Sequence, residues 1–355
     1  MTSVAILAGG CSFEHEVSLR SARQVVRHLD RRRWRAWPVL LDRDGLWWVG
    51  SKPLADDENP DAGFRMPGMR ALRPGAAVEH LLEFAGVRVA FPVLHGEGGE
   101  DGTVQGMLEL HDLPFVGASC AASAVAMDKL RTRECLTYAG VPMARAFVPS
   151  TPLAKLTADE LARGIEDRIG FPCFLKVDCS GSSIGVARVK GRGDVGAFLD
   201  QNRARGGRCL AEAQALGEEL TVPVLGNCDD RLEPLPPVGI YPRKGEFFDL
   251  ESKYADGGAD EIVPPRGWSE ERIGQVQALA LRCHEALRCD GMSRTDMIWT
   301  EQGPVVLEVN TIPGLTEASL LPKAARAAGY SFTELVDRLL GLALVRPGHG
   351  AKMHG

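Results

Sequence analysis

The sequence predicts an α/β first third followed by an α+β remainder. Three observations predict it. Short apolar runs alternate with helical patterns up to about residue 110. A strand carrying a lysine, Phe174–Val177, runs into a Gly/Ser-rich turn and then a second strand. Finally, Ser293–Gly314 reads as a β-hairpin with one polar face.

In the first third, Val4–Ala8 is a short apolar run ending in Gly9-Gly10. A helical pattern follows, with Ala22, Val25, Val26 and Leu29 on one face. Ala36–Leu41 and Val87–Leu94 have strand character, and Asp56–Gly75, rich in Asp, Pro and Gly, is expected to run over the surface. This alternation predicts a doubly wound, Rossmann-like parallel sheet. Gly9-Gly10 invites an NAD-dependent oxidoreductase reading, but GxGxxG is absent. Glu14, taken alone, is a carboxylate at a helix N-terminus. His95–Gly102 contains a lone histidine and reads as a turn with local polar bonds rather than a metal cluster.

A helix is expected over Ala121–Tyr138, stopped by Gly140-Val141-Pro142. Lys129 falls inside it, where most lysines are solvated. Strands are expected at Phe174–Val177, Val186–Val189 and Leu220–Leu225. In the connecting loop Cys179–Gly185, Gly181 and Gly185 permit positive φ. Successive amides with the Ser182 and Ser183 hydroxyls suit phosphate oxygens, and Lys176 adds a point charge. No Walker A motif is present. Glu212 and Glu219, alone, read as surface carboxylates. Lys253-Tyr254 precede Ala-Asp-Gly-Gly in a loop of the lid type. A helix from Ser269 carries Ile273, Val276, Ala280, Cys283 and Leu287 on one stripe. The last begins at Ser331 with Glu334 three residues on, a capping box.

In the Ser293–Gly314 hairpin, Arg294 and Asp296 share a face, opposite Thr295, Met297 and Trp299. On the return strand Glu308 and Asn310 share a face, with Val305, Leu307 and Val309 expected on the other. Asp296, Glu308 and Asn310 then converge as a hard-oxygen set suited to Mg²⁺, which leaves coordination room for substrate phosphates. With this hairpin in the same chain, the phosphate reading of the Gly/Ser loop outweighs the bland one.

The net charge of −6 carries no global basic footprint, which argues against a nucleic-acid-binding role. No stretch has the length of a membrane span, and the N-terminus lacks the n- and h-regions of a signal peptide. The nine cysteines are scattered without CxxC, as expected of reduced thiols in a cytoplasmic protein.

These motifs together resemble the D-alanine–D-alanine ligases of the ATP-grasp superfamily. The matching stretches include LAGGCSFEHEVSLRSA, LHGEGGEDGTVQGMLEL, AMDKLRTRECL, FLKVDCSGSSIGVARV, GEELTVPVLG, FFDLESKY, SRTDM and LEVNTIPGLTEASLLPKAA. They span about Val4 to Leu344 in this order. The resemblance implies an ATP-grasp fold with a Rossmann-like N-terminal substrate domain (1–118), a central subdomain (119–212), a C-terminal subdomain with the metal and substrate site (213–346) and a short tail (347–355). It implies that Lys129 and Lys176 contact the nucleotide phosphates under the Ser180–Gly185 loop, where Ser183 also binds nucleotide. Glu212 would bind the adenine amino group, Glu219 the ribose, and Lys253 the region of the transferred phosphate. Asp296, Glu308 and Asn310 would ligate two Mg²⁺, with Mn²⁺ as a substitute. Glu14, with Ser182 and Tyr254, would hold the first D-alanine. Arg294 and the Gly314 N–H would stabilise an oxyanion, and Ser319 would take the carboxylate of the second D-alanine. The implied activity is ATP-dependent formation of D-alanyl-D-alanine for peptidoglycan precursors by a homodimer. D-lactate or D-serine as second substrate, and a non-catalytic nucleotide-binding module, are the competing readings. Two departures stand out: Ala213 replaces a lysine common beside the adenine, and Thr295 replaces Ile or Val.

Overall fold

The computed structural model describes residues 1–54, 64, 68–178, 185–242 and 259–346. Three sheets organise the described residues. The first contains β1 (Thr2–Gly9), β2 (Trp34–Leu41), β3 (Trp47–Val49), β4 (Arg70–Leu72) and β5 (Val87–Pro92), in the order β4-β3-β2-β1-β5. β1 is central and parallel to both neighbours, with Val4 opposite Ala36 and Ala5 opposite Ala90. Val4–Ala8 is fully buried, because helices cover both faces of this part of the sheet.

The doubly wound expectation needs one correction. β3 and β4 pair antiparallel at one edge, so the sheet is mixed. Of Asp56–Gly75, residues 56–63 and 65–67 lie outside the described residues; residues 68–75 are exposed or half-buried, as a course over the surface requires, but they include β4 and the start of helix α2 at Pro74 instead of loop alone. Pairing with β3 satisfies backbone groups that Gly and Pro content alone suggested were solvated.

On one face lie α1 (His15–Arg27) and the C-terminal α10 (Phe332–Val345); on the other lie α2 (Pro74–Glu83) and α3 (Thr103–Leu110). Gly9 sits at φ +96°, and a Cβ there would lie 2.3 Å from the Leu41 carbonyl oxygen. The glycine is required by the approach of β1 to β2.

The helix expected over Ala121–Tyr138 is two helices, α4 (Cys120–Met127) and α5 (Lys129–Tyr138). Asp128, in extended conformation, breaks them and caps α5, its carboxylate accepting from the Leu130 and Arg131 N–H groups at 2.9 and 3.0 Å. Aspartate competes with helical continuation in this way because its short side chain satisfies the first free amides of the next helix.

The second sheet contains β6 (Ala146–Phe147), β7 (Cys173–Val177), β8 (Val186–Val189) and β9 (Cys209–Ala213), antiparallel throughout in the order β6-β9-β7-β8. Helices α6 (Ala158–Arg168) and α7 (Val195–Asn202) cover its apolar face. The third sheet contains β10 (Glu218–Leu225), β11 (Glu233–Pro234), β12 (Val238–Pro242), β13 (Ala259–Ile262), β14 (Met292–Thr300) and β15 (Gly303–Asn310). Its order is β13-β12-β10-β14-β15, with β11 beside β10. Helix α8 (Glu270–Ala286), capped by Ser269, packs Val276, Leu279, Ala280 and Cys283 beneath it. α9 (Leu320–Ala327) precedes α10, whose N-terminus is the capping box Ser331/Glu334.

Candidate active site

The predicted hairpin forms. β14 and β15 pair antiparallel with Asp296 opposite Glu308 and Arg294 opposite Asn310. The register shifts just beyond, where Met297 faces Val306, leaving Leu307 as an extra residue. This bulge corrects the expected face assignment. Val306, with Val309 and Met297, enters the apolar core, while Leu307 joins Glu308 on a cavity wall. Strict alternation fails there because the extra residue resets the period of two. Thr295 faces the core, fully buried.

That cavity lies between the second sheet, the α4–α5 junction and β15. Lys129, Lys176, Glu212, Glu308 and Asn310 line it together with Glu100, Met127, Thr132, Met143, Leu210 and Leu307. Five of the predicted residues are thus brought together from four separate elements. The Asp128 cap puts Lys129 in the first turn of α5 instead of mid-helix. Glu212 is buried, not a surface carboxylate, and pairs with Lys176 and with Arg133, whose Nη1 donates to Oε1 at 3.0 Å. Arg133 also donates to the Ala144 carbonyl oxygen. Sequence reading missed Arg133, because nothing local distinguishes it from its solvated neighbour Arg131.

Asp296 is buried beside the cavity. Arg294 clamps it in bidentate fashion, Nε to Oδ1 and Nη2 to Oδ2, both at 2.8 Å. The Asn310 amide donates to Oδ2 at 3.2 Å. Burial opposes the Arg294 charge, but Asp296, Glu308 and Glu100 outweigh it and hold the guanidinium well above its ordinary pKa. Among the described residues no group of three or more His, Cys, Asp or Glu side chains is placed to hold a metal ion. The hairpin offers two carboxylates and an amide oxygen, a donor set that fits a hard divalent cation.

The loops that follow β1 and β5 approach the cavity through Glu100. Glu14 is the N-cap residue of α1 but makes no capping bond with its side chain. Its carboxylate lies against Gly96, where a Cβ would come within 3.0 Å of Oε2. Glu100 accepts from the Gly96 N–H at 2.7 Å, and Asp101 from the Gly98 N–H at 2.7 Å, so His95–Gly102 is the locally bonded turn expected. Burial pushes the Glu100 carboxyl up to about 8, with the Glu14 and Glu308 charges adding to the effect. Burial also lowers His95 to about 4, helped by Arg294.

Gly314 and Ser319 meet in the turn after β15. Ser319 is the N-cap residue of α9, yet its hydroxyl bonds Thr316 instead of capping the helix. Glu219 stands on β10, two residues before Thr221 and opposite Ile298. Ser182, Ser183, Lys253 and Tyr254 lie outside the described residues. The eight described cysteines are all free thiols, and no described helix is long and apolar enough to cross a membrane.

Comparison with known proteins shows what the whole chain is similar to. Residues 3–118 match the family model "D-ala D-ala ligase N-terminus", and residues 135–341 match "D-ala D-ala ligase C-terminus". The chain is 38% identical to a D-alanine–D-alanine ligase of Desulforudis audaxviator over 97% of this chain and 99% of the relative. It is 35% identical to one from a Mycobacterium species over 97% of each. Among solved structures, the D-alanine–D-alanine ligase of Coxiella burnetii superposes with a TM-score of 0.77 at 26% identity, over 97% of this chain and 94% of that one. The VanG D-Ala:D-Ser ligase of Enterococcus faecalis does so with 0.79 at 28%, over 96% and 99%. The mixed N-terminal sheet, the paired antiparallel sheets around the cavity, and these matches along nearly the whole chain establish that it belongs to the D-alanine–D-alanine ligase family.

Proposed function

We propose that this ATP-dependent ligase joins two D-alanine molecules through an acyl phosphate, releasing ADP and phosphate, to supply D-alanyl-D-alanine for peptidoglycan precursors. The observation that carries the reading is the shared cavity. Cations on α5 and β7 face the carboxylate and amide of β15, with Arg294 and Asp296 beside them. Such an arrangement suits a polyphosphate whose charge must be neutralised and whose terminal phosphorus must be aligned.

In this reading Lys129 and Lys176 bind the phosphates, with Ser183 and Lys253 completing the contacts, while Glu212 and Glu219 bind adenine and ribose. Asp296, Glu308 and Asn310 would hold two Mg²⁺, with Mn²⁺ able to substitute; the ions would neutralise phosphate charge. Glu14, Ser182 and Tyr254 fix the first D-alanine by its ammonium, so that its carboxylate attacks the γ-phosphorus. The amine of the second D-alanine then attacks the acyl carbon. Arg294 and the Gly314 N–H stabilise the resulting oxyanion, Ser319 holds the second carboxylate, and phosphate leaves. A cytoplasmic homodimer is the proposed working form.

Phosphate release from ATP tests the reading. D-alanine is expected to support it, and L-alanine or no amino acid is not. Equal release in all three arms refutes it. Because the VanG relative is a D-Ala:D-Ser ligase, the products are compared with D-alanine alone and with D-serine added. A mixed product as the main species would change the second substrate.

A further inference from the structure

The Asp296 carboxylate has about four lone-pair positions, and the structure fills all of them. Oδ1 accepts from Arg294 Nε at 2.8 Å and from the Thr221 hydroxyl at 2.6 Å. Oδ2 accepts from Arg294 Nη2 at 2.8 Å and from Asn310 Nδ2 at 3.2 Å. A cation can reach this carboxylate only by displacing one of these donors.

The four donors are not equivalent. Thr221 is fully buried on β10, directly opposite Asp296 in the sheet register. Its single hydroxyl proton faces two acceptors, Asp296 Oδ1 at 2.6 Å and the Thr295 carbonyl oxygen at 3.2 Å. The shorter contact has the length of a charge-assisted O–H···O⁻ bond. Buried in the strand, it has no solvent to exchange with. The Asn310 contact is the longest of the four and comes from a terminal amide that can turn about its last torsion. Turning it replaces the nitrogen with the carbonyl oxygen, which repels a carboxylate but suits a cation.

We infer that Thr221 is a positioning residue for the metal carboxylate. It locks Asp296 Oδ1 toward β10, so that Oδ2 alone is offered to a divalent cation while Asn310 turns its amide oxygen inward. The inference rests on the metal reading of the hairpin and adds to it a residue, an atom assignment and a side-chain rotation.

The test is Mn²⁺ binding, read from the electron paramagnetic resonance of free Mn²⁺ in the presence of a non-hydrolysable ATP analogue. The full chain is compared with Thr221→Val, Thr221→Ser and Asp296→Asn, with thermal melting as the check on folding. Thr221→Val keeps the buried shape and loses the hydroxyl. Its Mn²⁺ dissociation constant is expected to rise roughly 10–100-fold, the usual effect of removing a partner that orients a metal ligand. Thr221→Ser is expected to bind as the wild type does. Wild-type affinity in the valine variant overturns the inference and leaves the metal reading standing. Wild-type affinity in Asp296→Asn, or no binding by the wild type, removes both. Should the valine variant not fold, the wild type still decides. Mg²⁺ with the analogue must shift the Asn310 side-chain amide resonance, assigned by its loss in Asn310→Ala. An unmoved resonance overturns the inference.

Discussion

A side chain added at Gly314 would place its Cβ 2.8 Å from Ser319 Oγ and 3.3 Å from Ser319 Cβ. The turn after β15 therefore leaves no room for a side chain between position 314 and the hydroxyl at the start of α9. The proposed oxyanion donor and the proposed carboxylate binder are close neighbours. Gly314→Ala must push this hydroxyl away from Thr316. Overpacking of this kind costs about 1–3 kcal/mol. The expected result is a KM for the second D-alanine raised about tenfold or more, with nucleotide binding unchanged. A KM equal to wild type would show that the turn gives way without disturbing the subsite.

Arg294 spends both ends of its fork on Asp296. Arg294→Lys keeps the charge but not the planar bidentate geometry. If the guanidinium serves the oxyanion, kcat falls by about 10²–10³. Single-turnover measurement of ADP formation separates the steps: phosphoryl transfer is expected to survive better than dipeptide release.

Glu212 neutralises two cations, Lys176 and Arg133, in a setting where all three side chains are largely buried. Glu212→Gln strands both charges. Breaking a buried ion pair in this way costs roughly 3–5 kcal/mol. A lowered urea midpoint with weakened binding of an ATP analogue is expected. An unchanged midpoint would mean that the cations find other partners at no cost.

Asp128 separates α4 from α5 and caps the latter. Asp128→Ala removes the cap, at about 1 kcal/mol, and allows the two helices to run together through Lys129. The KM for ATP is expected to rise while that for D-alanine does not, which initial-rate kinetics can resolve.

His284 is fully buried, its Nδ1 bonded to Ser293 Oγ at 2.7 Å and its Nε2 without a hydrogen-bond partner among the described residues. Burial lowers its pKa to about 4 from 6.5. The folded chain therefore binds fewer protons than the unfolded one between these values. The stability contributed by a neutral His284 is complete above pH 6.5 and is lost as pH falls toward 4. Denaturant midpoints measured from pH 7.5 down to 4.5 are expected to decline, and less steeply in His284→Gln. Parallel curves would exclude His284 as a source.

Much of the site was legible in the chain because its parts are local. Asp296 and Glu308 face each other as strand alternation required, and the donor types needed no coordinates. Lys176 followed from a strand leading into a glycine-rich loop. The misreadings have a common origin. A bulge moved Leu307 off its expected face, a capping aspartate split one helix in two, and Glu212 looked exposed until its cationic partners were placed.

The sequence by itself determined the strand-and-helix alternation of the first third, the 293–310 hairpin, the capping box at Ser331 and the chemical identity of the proposed ligating groups, since each depends on residues within a few positions of one another. Only the tertiary structure decided which partners hold those groups. Thr221 reaches Asp296 across 75 positions, and Arg133 reaches Glu212 across 79. Such contacts depend on sheet register and packing, which are fixed by the collective burial of distant apolar faces and leave no local signature in the chain.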